Sequence, residues 1–236
     1  MALQHDAAGI ARLFDASVAT YDRVNTVLTF GRDAAWRRWA ARRAVVAGEH
    51  APVLDACAGT GLLARALARR GAQVTAVDVA PATLARAAAR LAAEGLALRT
   101  VVADVTAADA AAAIGGPFAA ATLGFGLRYF ATPATALRTL HELLVPGARL
   151  VVLEAVTPVP GPLGTPAGRY FFDVAPRLGS ALAGGGELYE LLAASTRALG
   201  TADDVAAHLE RAGFAVVGRQ VFAAGVVAGF VALRLP

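Results

Sequence analysis

Val53-Leu54-Asp55-Ala56-Cys57-Ala58-Gly59-Thr60-Gly61 decides the fold. A short apolar strand, Pro52 to Leu54, runs into an acid, then a glycine turn, then a helix over Leu62 to Arg70. Glycines there let backbone approach a ligand that a Cβ would exclude. The helix that follows aims free N–H groups at whatever sits in the turn. A second strand, Gln73 to Val77, ends in Asp78, which places a carboxylate where it can accept hydrogen bonds from a ribose diol. The pattern is that of a mononucleotide site on a doubly wound α/β sheet.

Two nucleotides fit the turn. Gly59-Thr60-Gly61-Leu62-Leu63-Ala64 satisfies the G-x-G-x-x-G/A form of NAD proteins, with Asp78 about 20 residues on. Asp55 ahead of the glycines favours the other reading. D-x-x-x-G-x-G after the first strand resembles the first motif of class I S-adenosylmethionine (SAM) methyltransferases. A third strand, Leu98 to Val102, ends at Asp104-Val105. In the methyltransferase pattern an acid there meets the adenine amino group. Three successive strand ends that each carry an acid are hard to explain as a turn and nothing more.

Composition narrows the remaining classes. At 236 residues the chain suits one α/β domain with elaborations. All 22 basic residues are arginine, which with the alanine excess points to a GC-rich genome rather than to an anionic ligand. The net charge of +4 permits attraction to an anionic surface without demanding nucleic acid, and none is expected as a partner. Cys57 is the single cysteine, so no intrachain disulfide can form, and a small residue filling a tight turn explains it better than a nucleophile. The four histidines are scattered and no metal site is expected. No signal peptide is evident, and the apolar run Val221 to Leu233 is too short to span a bilayer. The expected location is the cytoplasm, with peripheral contact at the inner face of the membrane.

The chain divides into four stretches. Residues 1–50 form a helical lid, helical from Ala7 to Val46 with Ile10, Leu13, Phe14, Val18 and Tyr21 on one face. Residues 51–157 form the nucleotide-binding core, with a fourth strand over Ala119 to Gly124, a helix over Pro133 to Leu144, a turn at Val145-Pro146-Gly147 and a fifth strand over Arg149 to Glu154. Residues 158–200 form an insertion: a Pro/Gly-rich break, then helices over Tyr170 to Ala183 and Leu188 to Leu199 separated by Gly184-Gly185-Gly186. Residues 201–236 hold a last helix, with Thr201 as N-cap and Asp204 at the capping-box position, and a closing hairpin of Phe214 to Phe222 and Val226 to Arg234.

Nearly the whole chain resembles the C-methyltransferases of ubiquinone and menaquinone biosynthesis. Phe14-Asp15, Tyr21-Asp22, Asn25, Phe30-Gly31 and Trp36-Arg37-Arg38 are similar to that family's N-terminal signature, and Phe125-Gly126-Leu127-Arg128 to its F-G-L-R-N segment. Tyr170, Val174, Pro176-Arg177 and Gly179 resemble its Y-x-F-H-V-x-P-x-x-G stretch; Tyr189, Leu192 and Ser195 resemble the helix after it; and Ala224-Gly225-Val226-Val227-Ala228 resembles its hairpin. The chain departs from the pattern at Ala58 (commonly Gly), Tyr129 (Asn), Asp33 and Asp173 (His) and Ala119 (Asp).

The resemblance implies a class I methyltransferase: a Rossmann-like, seven-stranded α/β sheet with an antiparallel last strand, a helical lid and a helical insertion after strand five. It implies a SAM site of Asp55, Ala58, Gly59, Thr60, Gly61, Asp78, Val79, Asp104, Val105 and Gly124. On the acceptor side it points to Tyr21, Asp33, Arg128 and Asp173, with Arg128 orienting a phenolate and one aspartate, Asp33 before Asp173, taking the proton. Glu154 either touches substrate or caps its strand. The implied acceptor is a lipophilic hydroquinone such as demethylmenaquinol or a ubiquinol precursor, its tail walled by Leu163 to Leu199. An aromatic natural product as acceptor, and a SAM-binding protein that no longer methylates, stay open at this point, as does a homodimer. Arg32 to Arg43, with Trp36 and Trp39, suits either a membrane interface or a solvated face with the tryptophans packed inward.

Overall fold

The computed structural model describes residues 6–183 and 187–236. The glycine triplet expected to separate the insertion helices lies outside them. In chain order the elements are α1 (Ala7–Ser17), α2 (Tyr21–Leu28), α3 (Asp33–Ala44), β1 (Pro52–Ala56), α4 (Leu62–Ala68), β2 (Gln73–Asp78), α5 (Pro81–Ala92), β3 (Arg99–Val102), α6 (Ala110–Ile114), β4 (Phe118–Gly124), α7 (Pro133–Leu143), β5 (Leu144–Ala155), α8 (Gly164–Arg169), α9 (Ala175–Ala183), α10 (Glu187–Leu199), α11 (Ala202–Arg211), β6 (Phe214–Phe222) and β7 (Val227–Arg234). A 3₁₀ turn, Leu127–Tyr129, follows β4, and one π-helical turn, Tyr170–Val174, joins α8 to α9.

The seven strands lie in the order β3-β2-β1-β4-β5-β7-β6. β1 to β5 are parallel, and β7 is antiparallel to both β5 and β6. The expected seven-stranded α/β sheet is therefore present. Its central strands are buried on both faces, which explains their continuous apolar runs. One face packs Trp36, Leu63, Leu67 and Leu91 of α3, α4 and α5. The other packs Ile114, Leu137, Leu140, Val205 and Leu209 of α6, α7 and α11. Local sequence sets the helix starts. Proline opens α5 and α7. Thr201 and Asp204 close the reciprocal capping box of α11 as expected.

Three expectations need correction. The helical stretch from Ala7 to Val46 is three helices: a turn over residues 18–20 separates α1 from α2, and Phe30 (φ 53°) and Gly31 (φ 72°) take left-handed conformations that turn the chain between α2 and α3. β5 begins five residues early: Leu144 pairs with Phe118, and the register shifts between Phe118 and Ala120 absorb the Val145-Pro146-Gly147 stretch into an irregular strand. β1 and β2 each run further than expected, so Asp55 and Asp78 are strand residues. A smaller cluster sits apart from the sheet core: Val24, Leu188 and Tyr189, with Leu13, Phe14 and Tyr21, join the lid to α10.

Candidate active site

The C-terminal ends of β1 to β5 deliver the polar groups, as expected of an open α/β sheet. Asp55 is buried in β1 and pairs in register with Thr122 of β4. The Thr122 hydroxyl donates to Asp55 Oδ1 at 2.6 Å, while Oδ2 has no partner among the described residues. The Ala64 N–H, in the first turn of α4, also acts on the carboxylate and lowers its pKa. Burial raises the Asp55 pKa to about 7, against the hydrogen bond from Thr122 and the charge of Arg37. Asp78 Oδ2 accepts from Gly59 N at 2.8 Å and Oδ1 from Ala80 N at 3.0 Å. Each oxygen keeps a lone pair for a further donor. Asp104 uses Oδ1 for Thr106 N (2.8 Å) and Thr106 Oγ1 (2.7 Å).

These acids face one cavity of about 360 Å³, lined also by Ala58, Gly59, Thr60, Val79, Val105 and Gly124. Of the expected cofactor residues only Gly61 is not on its wall; its φ of 77° and the 2.7 Å from its Cβ position to Ala87 Cβ make it a turn glycine against α5. A Cβ on Gly59 would meet nothing within 4 Å, so the cradle is open where a ligand would lie. A Cβ on Gly126 would stand 2.5 Å from Cys57 Cβ. Burial, then the charges of Asp78, Glu154, Asp55 and Asp104, push the Cys57 thiol well up, so it stays a neutral wall residue.

The residues present fit SAM. The unpartnered Asp55 oxygen is a buried acceptor that a ligand ammonium would satisfy. Asp78 offers its spare lone pairs to a diol, and the open cradle at Gly59 admits a sulfonium chain.

A second cavity, of about 470 Å³, lies beyond the first and is mostly apolar. Trp36 of α3, Pro166 of α8, Tyr170 and Phe171 of the π turn, Pro176 of α9 and Leu192 of α10 contribute walls. Most of these come from the insertion, as the sequence reading expects. Tyr21, Arg37 and Phe125 line both cavities.

Arg128 is buried on the wall of the second cavity. Its Nη1 pairs with Glu154, its Nη2 donates to the Tyr129 hydroxyl at 3.1 Å, and its Nε has no partner among the described residues. Glu154 accepts in addition from the backbone N–H of Arg128 (3.3 Å) and of Ala155 (2.8 Å). It therefore holds Arg128 rather than capping its strand. Tyr21 is a neutral phenol, its pKa raised by burial despite the nearby Arg128 and Arg37. Asp33 opens α3 on the second cavity's wall and pairs with Arg37 at 2.8 Å. Asp173 does not join these groups. Its exposed side chain faces Arg197 at 3.8 Å, away from both cavities.

The sequence reading assigned no role to two acids that fasten the lid. Asp22 of α2 accepts from Thr60 Oγ1 at 2.6 Å and pairs with Arg90 of α5. Asp15 of α1 accepts from Thr83 N and Thr83 Oγ1, both at 3.0 Å, in the first turn of α5. Their motif positions were the available signal; their partners lie 38 and 68 residues away. Among the described residues no helix is long and apolar enough to cross a membrane.

A model of the ubiE/COQ5 methyltransferase family matches residues 2–234. A demethylmenaquinone methyltransferase of Thermus thermophilus is 39% identical over 208 residues, 86% of this chain and 92% of the relative. One of Mycobacterium tuberculosis is 35% identical over 227 residues, 96% of this chain and 93% of the relative. Among solved structures, a SAM-dependent methyltransferase from Aquifex aeolicus superposes with a TM-score of 0.56 at 16% identity, covering 84% of this chain and 89% of that one; the likeness concerns the fold.

Proposed function

The chain belongs to the ubiE/COQ5 methyltransferase family, and on that premise we propose that it methylates a ring carbon of demethylmenaquinol. It is a SAM-dependent methyltransferase. The observation that carries the choice of acceptor is the pair of cavities sharing Tyr21, Arg37 and Phe125: one carries Asp55, Asp78 and Asp104 on its wall, the other is mostly apolar with a volume of about 470 Å³.

SAM, when bound, supplies an electrophilic methyl on a positively charged sulfur. Asp55, Asp78 and Asp104 would hold it in the first cavity. Tyr21 and Phe125 define the opening through which the acceptor carbon meets it, so orientation is set by two rings fixed to different elements. A hydroquinone becomes a carbon nucleophile when a hydroxyl loses its proton and charge spreads to the ortho carbon. Arg128, held by Glu154, stabilises that phenolate. Asp33 is the carboxylate on the acceptor wall and takes the proton, directly or through water. The ring carbon would take the methyl as the cofactor leaves as a neutral thioether; that carbon's hydrogen then departs as a proton to water while Asp33 returns its proton to the ring oxygen, which restores the hydroquinone. Asp15 and Asp22 keep the lid on the core and water out of the junction.

The route to the second cavity is proposed to open at a membrane surface. Phe30 (75% exposed) and the exposed Arg32 line its wall, and Leu163 (74% exposed) stands just before α8, whose Pro166 and Ala167 line it too; Arg169 and Arg177 of the same insertion are also exposed. Trp36 and Trp39 do not contribute: the first is buried, and the second packs on Phe222 and the Cβ-less face of Gly229. The deciding experiment incubates the protein with methyl-labelled SAM and reduced demethylmenaquinone of short prenyl chain, beside catechol and flavonoid acceptors. Label on a ring carbon of the quinol is expected. Label only on the other acceptors would refute the substrate assignment.

A further inference from the structure

Among the described residues three buried side-chain polar atoms have no hydrogen-bond partner: Asp55 Oδ2, Arg128 Nε and the Tyr189 hydroxyl. All three residues line the two cavities, Asp55 the first and the other two the second. Buried polar groups are ordinarily paired, because an orphan forfeits its hydration with nothing in return. Orphans confined to cavity walls are donors and acceptors kept open for ligands. Asp55 answers to the SAM ammonium and Arg128 to the phenolate. Tyr189 remains without an assignment.

Tyr189 lies on α10, in the insertion, and is 1% exposed. It packs in the cluster that contains Tyr21 and Val24. The Cβ position of Gly179 on α9 stands 2.4 Å from Tyr189 Cδ1, so only glycine there lets α9 press on the ring and hold it in place. Burial, and secondly the neighbouring Tyr21, raise its pKa, which keeps the phenol protonated and a donor. A rigid ring with a free O–H, on the wall of a mostly apolar cavity, is suited to one polar atom of a ligand.

We infer that Tyr189 is a specificity-determining residue that donates a hydrogen bond to the second oxygen of a para-dioxygenated acceptor ring, the one distant from the methylated carbon, while Arg128 holds the first. The inference rests on the acceptor proposed above and adds to it: the site selects hydroquinones over monohydroxy arenes. A monophenol would leave the Tyr189 hydroxyl buried and unpaired, a penalty that favours the dihydroxy ring.

The test compares wild type and Tyr189→Phe on two probes: 2-prenyl-1,4-naphthohydroquinone and 3-prenyl-1-naphthol, which keeps the activating hydroxyl and lacks the second oxygen. Wild type is expected to prefer the hydroquinone in kcat/KM. Tyr189→Phe is expected to lose roughly 3- to 10-fold on the hydroquinone, nothing on the naphthol, and nothing in SAM affinity. Removing an unpaired oxygen should leave the melting temperature of the ligand-free protein unchanged or higher. Equal loss on both probes, no loss on the hydroquinone, or a lower melting temperature would each overturn the assignment while leaving the methyltransferase reading intact. If wild type methylates neither probe, the substrate reading itself fails and this inference with it.

Discussion

Asp55 makes the cofactor site sensitive to pH. Its pKa of about 7 in the folded chain stands against an ordinary 3.8, and the gap corresponds to about 4 kcal/mol of difference between the two protonation states. The folded value is the higher one, so the ligand-free fold is favoured by the protonated carboxyl. That contribution is fully present below pH 3.8 and is lost as pH rises to about 7. SAM binding has the opposite requirement. An ammonium placed on Oδ2 needs the carboxylate, so binding near pH 6 must expel the proton. Affinity should rise up to tenfold per unit between about pH 5.5 and 7, then level off. Titration calorimetry in two buffers of different ionisation enthalpy would register release of up to one proton at pH 6. Asp55→Asn should abolish both the proton release and the pH slope, with SAM affinity about 10- to 100-fold weaker at pH 7.5. A dissociation constant that is flat from pH 5.5 to 7.5 in wild type, with no proton released, would refute the reasoning.

Three further outcomes are expected. Asp78→Asn should weaken SAM by roughly 10- to 150-fold in calorimetry, since the amide loses the charge-assisted bonds to a ribose diol; unchanged affinity would remove the ribose assignment. Asp33→Asn should lower turnover by roughly 10²-fold with SAM affinity kept, whereas Asp173→Asn, on the exposed side, should turn over like wild type; equal rates for wild type and Asp33→Asn across the pH range would show that Asp33 is not the base. Phe30→Ser with Leu163→Ser should reduce flotation with anionic vesicles at low salt without changing turnover of a short-chain quinol in detergent, and undiminished flotation would remove those two residues from the membrane contact.

The cofactor half was legible because its determinants are local. An apolar strand with an acid at its C-terminal end repeats along the chain: Asp55 and Asp78 lie in the last residues of β1 and β2, and Asp104 just past β3. What binds those acids was not legible. Thr122 reaches Asp55 only because β1 and β4 are neighbours in register, a fact of sheet order that neither segment carries. The same holds for Glu154 beneath Arg128 and for Asp15 and Asp22 on α5. Asp173 shows how the acceptor half escapes pattern reading. The π turn puts an extra residue in the helical turn between α8 and α9, so the helix phase shifts. Tyr170 and Phe171 then face the cavity while Asp173 faces solvent.

Tyr129 stands where the family pattern has asparagine, and the geometry around it says what the exchange accomplishes. A buried arginine needs its donors filled or its charge is costly. Glu154 takes Nη1, and the Tyr129 hydroxyl takes Nη2 while its ring lies 4.7 Å beneath the guanidinium. Phe14 from α1 packs edge-on against that same ring at 5.4 Å, so the lid helix rests on the residue that orients Arg128. A phenol thus does with its oxygen what a shorter polar side chain would do, and adds an apolar face that ties the lid to the acceptor wall. The network stays incomplete at Nε. A half-satisfied buried network is worse for folding than an apolar one, so an open donor at this position makes sense only if something arrives to accept from it. In the proposed mechanism the phenolate oxygen of the acceptor does so, at the step in which negative charge develops beside Arg128.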